Sequence, residues 1–142
     1  MKRVFILKRI LLSSALFLII AQLFLYTFSP DMIIHRFFSN YGYRLEKNPI
    51  ERVIYTFPQT MNKTLENYNS LQKEIGLDIT PYLGKTVVRY TYIVTNFPFP
   101  TPTPVRANVL MYKNKIIAAD IMTVGLEGFM ISPAEKFQCA DN

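Results

Sequence analysis

From Ile10 to Pro30 the chain carries no charged residue, and from Ile10 to Phe28 nearly every side chain is apolar. A helix rises 1.5 Å per residue, so about 20 such residues cross a hydrocarbon core of roughly 30 Å. The run has that length. A cleavable secretion signal has a shorter apolar core, about 7 to 15 residues, followed by small residues. Here the run ends in Leu23-Phe24-Leu25-Tyr26-Thr27-Phe28, which offers no such site, and Ser13-Ser14-Ala15 falls too early. Apolar side chains on every face point to lipid and away from a half-buried core helix. The reading is an uncleaved anchor over residues 10–29, with the lipid bilayer as its partner.

Flanking charge sets the orientation. Lys2, Arg3, Lys8 and Arg9 precede the run, whereas Arg36 is the only Lys or Arg within about 15 residues after it. The expectation is a single-pass protein of the cell membrane, with its N-terminus cytoplasmic and its C-terminal domain extracytoplasmic. Tyr26 and Phe28 sit where an interfacial aromatic belt would lie. The chain divides into a basic N-terminus (1–9), the anchor (10–29), one folded domain (30–136) and a polar tail (137–142). Of the formal net charge of +6, residues 1–9 supply +4; the remainder holds twelve Lys and Arg against ten Asp and Glu. The basic balance is therefore a topology signal, and no nucleic-acid partner is implied. The single cysteine, Cys139, makes no internal disulfide, so the domain must be held by packing.

Residues after the anchor alternate between helical and strand periodicity. Ser29-Pro30-Asp31 reads as a helix start, and Ile33, Ile34, Phe37, Phe38 and Tyr41 follow at helical spacing up to Gly42. This helix is expected to pack its aromatic face on the domain; lying in the membrane surface is the other option. Residues 50–58 alternate as a half-buried strand, with Val53, Tyr55 and Phe57 on one face. Residues 60–75 return to helical spacing through Met61, Leu65, Tyr68, Leu71 and Ile75, and Gly76 ends them. Three further strands follow: 86–97, with Val88, Tyr90, Tyr92 and Val94 on one face, then 105–112 and 116–124. The last two form a hairpin across Lys113-Asn114-Lys115, without the usual glycine. The fold class is α+β: an N-terminal transmembrane helix, then a small domain whose antiparallel sheet is packed by one or two helices on one face.

The segment between the second and third strands has prolines at 98, 100, 102 and 104. Every second residue lacks an amide donor, which excludes a central strand. It is either a preformed docking arm or a stiff connection. As an arm, Phe97 and Phe99 would be its apolar contacts and Arg106 its anchor for an acidic partner.

Catalytic patterns are weak. His35 is the only histidine, and with one His and one Cys no metal site of ordinary zinc type assembles. The sequence carries no complete cofactor motif. Gly84-Lys85-Thr86 ends like a phosphate loop, but Ile79 stands where that motif needs glycine. Among the acids, Asp78 and Asp120 are the binding candidates; no spacing selects a catalytic pair from Glu74, Asp78, Asp120 and Glu127. Catalysis is accordingly assigned to no residue.

Residues 66–98, "ENYNSLQKEIGLDITPYLGKTVVRYTYIVTNFP", followed by "VRANVLMYKNKIIAAD" and "GLEGFM", resemble a bacterial family catalogued as domain of unknown function 4830. The resemblance rests on Asn67, Tyr68, Asn69, Gln72, Gly76, Asp78, Tyr82, Gly84, Lys85, Tyr90, Tyr92, Asn96, Asp120 and Gly128-Phe129-Met130. It implies a short protein of Gram-positive bacteria with an N-terminal span, and it brings no reaction or ligand. Ala118-Ala119 stand where such relatives carry glycine before the aspartate. Two classes of function fit. One is a non-catalytic domain binding another envelope protein, its weak affinity helped by tethering. The other is a module for a small-molecule or cell-wall ligand, or a minor hydrolase, built around Tyr90, Tyr92 and converging carboxylates.

Overall fold

A computed structural model describes the backbone of residues 2–27 and 29–135, and side chains over 10–23 and 29–135. Helix α1 runs Lys2–Thr27 and α2 runs Pro30–Asn40. Strand β1 (Glu51–Thr56), helix α3 (Lys63–Lys73) and a 3-10 turn at Thr80–Tyr82 follow. Strands β2 (Thr86–Ile93), β3 (Arg106–Tyr112), β4 (Lys115–Met122) and β5 (Met130–Ile131) come next. The strands form one sheet in sequence order, each antiparallel to the next. The α+β class is thus as the periodicity indicates.

Among the described residues no helix is long and apolar enough to cross a membrane. The described side chains of α1, residues 10–23, account for about 21 Å of rise against a hydrocarbon core of roughly 30 Å. All of them but Ala21 are exposed. The span expected over residues 10–29 continues into side chains that are not described. The basic residues Lys2, Arg3, Lys8 and Arg9, the aromatic pair Tyr26 and Phe28, and Cys139 with its tail likewise lie outside the described side chains.

Ser29 caps α2 by accepting from the Met32 amide at 3.4 Å, with Pro30 in the first turn and Asp31 at the positive end of the helix. The helix stops at Gly42 (φ +85°), and α3 stops at Gly76 (φ +72°). In each, the next amide reaches back to the last turn: Tyr43 to the Phe38 carbonyl and Leu77 to the Gln72 carbonyl. Helix α2 buries Ile34 and Phe38 completely. They join Tyr90, Tyr92, Ala107, Val109, Ala119 and Ile121 from the sheet face they cover.

The sheet is covered on both faces, which corrects the one-face expectation. Successive strand residues point to opposite sides. The face opposite α2 carries Val87, Leu110 and Ala118, which bury with Phe57 and Ile79 against Leu65 and Tyr68 of α3. The stripe expected on α3 packs in part: Met61, Leu65, Tyr68 and Ile75 lie against the two cores. The helix's buried positions are polar, Asn69 and Gln72, while Leu71 is only half-buried. Gln72 Oε1 accepts the Ala119 amide of β4 at 2.7 Å. Since β5 pairs only with Ile121 and Met122, a glutamine side chain continues the edge that so short a strand leaves open.

The β3–β4 hairpin turns through Lys113 and Asn114, both with positive φ (48° and 38°). That geometry suits the right-handed twist of the flanking strands, and Asn-Gly is its best pair. Lysine there costs about 1–2 kcal/mol of backbone strain. Replacing the pair by Lys113→Asn with Asn114→Gly should therefore raise unfolding stability by about 1 kcal/mol, read from urea midpoints at unchanged slope; a loss of stability would refute the strain.

Candidate functional site

The five residues singled out from the sequence do not converge. Phe97 stacks on Phe129 with ring centroids 5.5 Å apart and packs against the α2-side core, and Phe99 meets Phe97 edge-on at 6.3 Å. Arg106 faces Ile93 and Met122 in the sheet, and its alternation with Asn108 puts it on the α3 face. A single docking arm from Phe97 to Arg106 is therefore divided between the two faces. The segment behaves as a stiff connection: Val94 donates to the Val105 carbonyl at 2.9 Å, and Thr103 Oγ1 donates to the Val124 carbonyl at 2.8 Å.

Asp78 is a turn residue. Its Oδ1 accepts from Thr80 Oγ1 (2.6 Å), the Thr80 amide (2.9 Å) and Asn69 Nδ2 (2.8 Å). Thr80's hydroxyl and amide, then Asn69, hold this exposed carboxyl down at about 2. Asn69, itself buried, accepts the Ile79 amide at 2.9 Å, so the cluster fixes the exit from α3.

Asp120 lies at the end of a polar row that crosses the α3 face. Arg89 donates to Glu51 Oε2 at 2.7 Å, and Thr91 Oγ1 donates to Asn108 Oδ1 at 2.9 Å. Asn108 Nδ2 donates to Asp120 Oδ2 at 2.8 Å, and Tyr68 OH donates to Asp120 Oδ1 at 3.0 Å. Burial pushes the Asp120 carboxyl up, against the lowering pull of Asn108 and Tyr68. Burial, then the Asp120 charge, pushes the Tyr68 phenol up as well. No local pattern announces this row, because its members come from β1, β2, β3, β4 and α3. Tyr68 also lines an open groove of about 440 Å³ with Leu65, Leu71 and Met130, but Asp120 does not reach it. Tyr90 and Tyr92 are on the other face: Tyr90 faces Val109, which faces Ala119, one residue from Asp120. The tyrosines and Asp120 cannot line one cavity. Burial, then Asp31, raises the Tyr92 phenol, whose hydroxyl donates to Asp31 at the start of α2. No group of three or more His, Cys, Asp or Glu side chains converges among the described residues.

The outer edge of β1 is one open edge of the sheet. Glu51, Arg52, Ile54 and Thr56 are exposed, with Ile54 at 58% and the preceding Ile50 at 48%. The Phe57 amide bonds to the Lys85 carbonyl in the same register as the β1–β2 pairs. By ladder alternation Glu51, Val53 and Tyr55 bond inward, which leaves the amides and carbonyls of Arg52, Ile54 and Thr56 facing out. The guanidinium of Arg52 is folded over the Tyr90 ring, 5.7 Å from its centroid.

The family described as Domain of unknown function (DUF4830) matches residues 37–121, more than half of the chain. The chain belongs to this family. The match to DUF4830 begins within α2 and ends within β4, so it contains the buried polar row and the β1 edge. Neither a curated protein nor a solved structure matches the chain. In this DUF4830 chain, Tyr68, Asn69, Gln72, Asp78, Tyr92, Asn96 and Asp120, among the residues that carry the resemblance, all make hydrogen bonds that hold elements together.

Two outcomes follow for the polar residues. Tyr68→Phe strips one donor from buried Asp120 and should cost about 1–3 kcal/mol at pH 7. A raised folded-state pKa means the ionised form opposes folding, so the deficit should shrink as pH falls and Asp120 is protonated. A deficit independent of pH in thermal melts would contradict this. For Asp78 the sign is reversed. Its folded value, about 2, lies below the ordinary 3.8, so its contribution is present above pH 3.8 and lost as pH falls toward 2. Asp78→Asn should lower Tm at pH 7 and flatten the wild-type fall in Tm between pH 4 and 2.

Proposed function

We propose that this chain is a membrane-anchored domain that works on the extracytoplasmic side by binding protein, and that it performs no catalysis. The charge-free run from Ile10 to Pro30 and the four basic residues before it support the anchor and its orientation. So does the helix that occupies this run, whose described side chains are almost all exposed. The observation that carries binding is the β1 edge, where outward backbone groups lie beside two exposed isoleucines. Long or apolar open edges are sites for strand addition, in which main-chain hydrogen bonds provide affinity. A tether holds the edge near other membrane-bound chains, so a modest interface suffices. The alternative of a ligand module or hydrolase needs a polar cavity. Asp120, the buried acid that would serve it, is 2% exposed and satisfied by Asn108 and Tyr68.

Two measurements test the proposal. Carbonate-washed membranes should retain the protein at full-length mass; a soluble product beginning beyond residue 25 would remove the anchor. A photocrosslinker carried at position 54 in those membranes should give intermolecular adducts that one at Glu74, exposed at the C-terminal cap of α3, does not. Equal yields from both positions would remove β1 as the binding site.

A further inference from the structure

We infer that the occupant of the β1 edge is a second copy of this chain, paired antiparallel about a two-fold axis at Ile54. The inference rests on the reading of β1 as the binding edge and names its partner. Arg52, Ile54 and Thr56 turn their amides and carbonyls outward. An antiparallel strand satisfies all three wherever alternate residues turn amide and carbonyl outward and none of them is proline, so register is chosen by the side chains that meet. A second β1 centred on Ile54 qualifies: Arg52 faces Thr56 of the other copy, Ile54 faces Ile54, and Thr56 faces Arg52. Each facing pair exchanges two hydrogen bonds.

Other symmetric registers fail for stated reasons. Centring on Arg52 sets two guanidiniums opposite each other, which repels. Centring on Tyr55 sets Arg52 against Pro58, which has no amide hydrogen. Centring on Val53 sets Thr56 against Ile50, whose amide is already given to the Thr91 carbonyl at 2.8 Å. In the Ile54 register no like charges meet, and the most exposed apolar side chain of the strand covers its own counterpart. Val53 faces Tyr55 on the other side of the joined sheet, extending the half-buried pair.

Anchoring geometry agrees. The two-fold axis of an antiparallel edge pair runs normal to the sheet, so each face keeps its identity across the junction. Both copies of α2 then lie on one side of the continuous sheet. Helix α1 ends at Thr27 and α2 begins at Pro30, so both anchors leave from that side and enter one membrane.

The test uses the full-length chain in its own membranes, with Cys139→Ser to remove the native thiol. Ile54→Cys should form a disulfide-linked dimer on mild oxidation, because Cα atoms of a hydrogen-bonded antiparallel pair are about 5.5 Å apart, within disulfide reach. Ile50→Cys is nearly as exposed, but in this register the two copies of residue 50 are roughly 26 Å apart. It should give at least tenfold less dimer. Equal yields from both positions, or none from position 54, overturn the inference. Ile54→Lys in the detergent-solubilised chain should convert dimer to monomer without shifting Tm by more than a few degrees; a dimer that persists overturns it too. A benzophenone maleimide on Cys at position 54 separates the two readings. An adduct with a copy of this chain supports the inference. An adduct with a different protein overturns the second copy while partner binding stands, and no intermolecular adduct overturns both.

Discussion

Two side-chain hydrogen bonds to β4, from the Ala119 amide to Gln72 and from Tyr68 to Asp120, join helix α3 to the sheet. Helix α3 has eleven residues and little apolar surface, and its buried positions are Asn69 and Gln72. An isolated helix of that length is marginal in water. It stays because Gln72 occupies a place on β4 that a longer β5 would have filled, while Tyr68 reaches Asp120 and Asn69 holds the turn that follows. These bonds leave Gln72 Nε2 and Arg89 Nε buried without a partner among the described residues. Buried polar atoms hold position only while the surrounding bonds are complete, so the helix and the row across the sheet stand or fall together.

The two helices do different work with similar lengths. Helix α2 is seated by hydrophobic burial of Ile34 and Phe38, with the Tyr92–Asp31 bond at its start. Helix α3 adds to the packing of Leu65 and Tyr68 the directed polar contacts of Tyr68, Asn69 and Gln72. Asn96 adds a third staple, accepting the Arg44 amide at 2.6 Å and donating to the Gly42 carbonyl at 2.8 Å. Membership of the DUF4830 family is thus explained by residues that build the fold, and it leaves chemistry to be argued from the surface.

Much of this was legible from local pattern. The strand at residues 50–58, the helices on either side of it and the hairpin across Lys113-Asn114 all follow from periodicity and turn chemistry. The polar face of α3 was not, because Tyr68 and Asp120 are 52 residues apart and meet only through the fold. Burial of both sheet faces was hidden for a related reason. Strands β3 and β4 read as nearly continuous apolar runs, which do not reveal how many faces are covered. The two residues of β5 are too few to show any period. Of the candidate site residues, Asp120 proved to be part of a structural row, Asp78 a turn cap, and Phe97 and Phe99 members of an aromatic cluster. The β1 edge was visible only as a strand, since strand order and the outward alternation are properties of the sheet.

The position of α2 ahead of its sheet has a consequence for biosynthesis. Chains emerge N-terminus first, so Ile34 and Phe38 leave the ribosome well before Ala107, Val109, Ala119 and Ile121, the surface that buries them. Until Ile121 has emerged, an eleven-residue helix with an uncovered apolar stripe must wait beside the most hydrophobic segment of the chain. The meander itself can assemble strand by strand as soon as each neighbour appears, because every pairing joins consecutive strands. Burial of a segment made early is thus completed only by strands made late, and until then its apolar stripe is open to aggregation and to proteases.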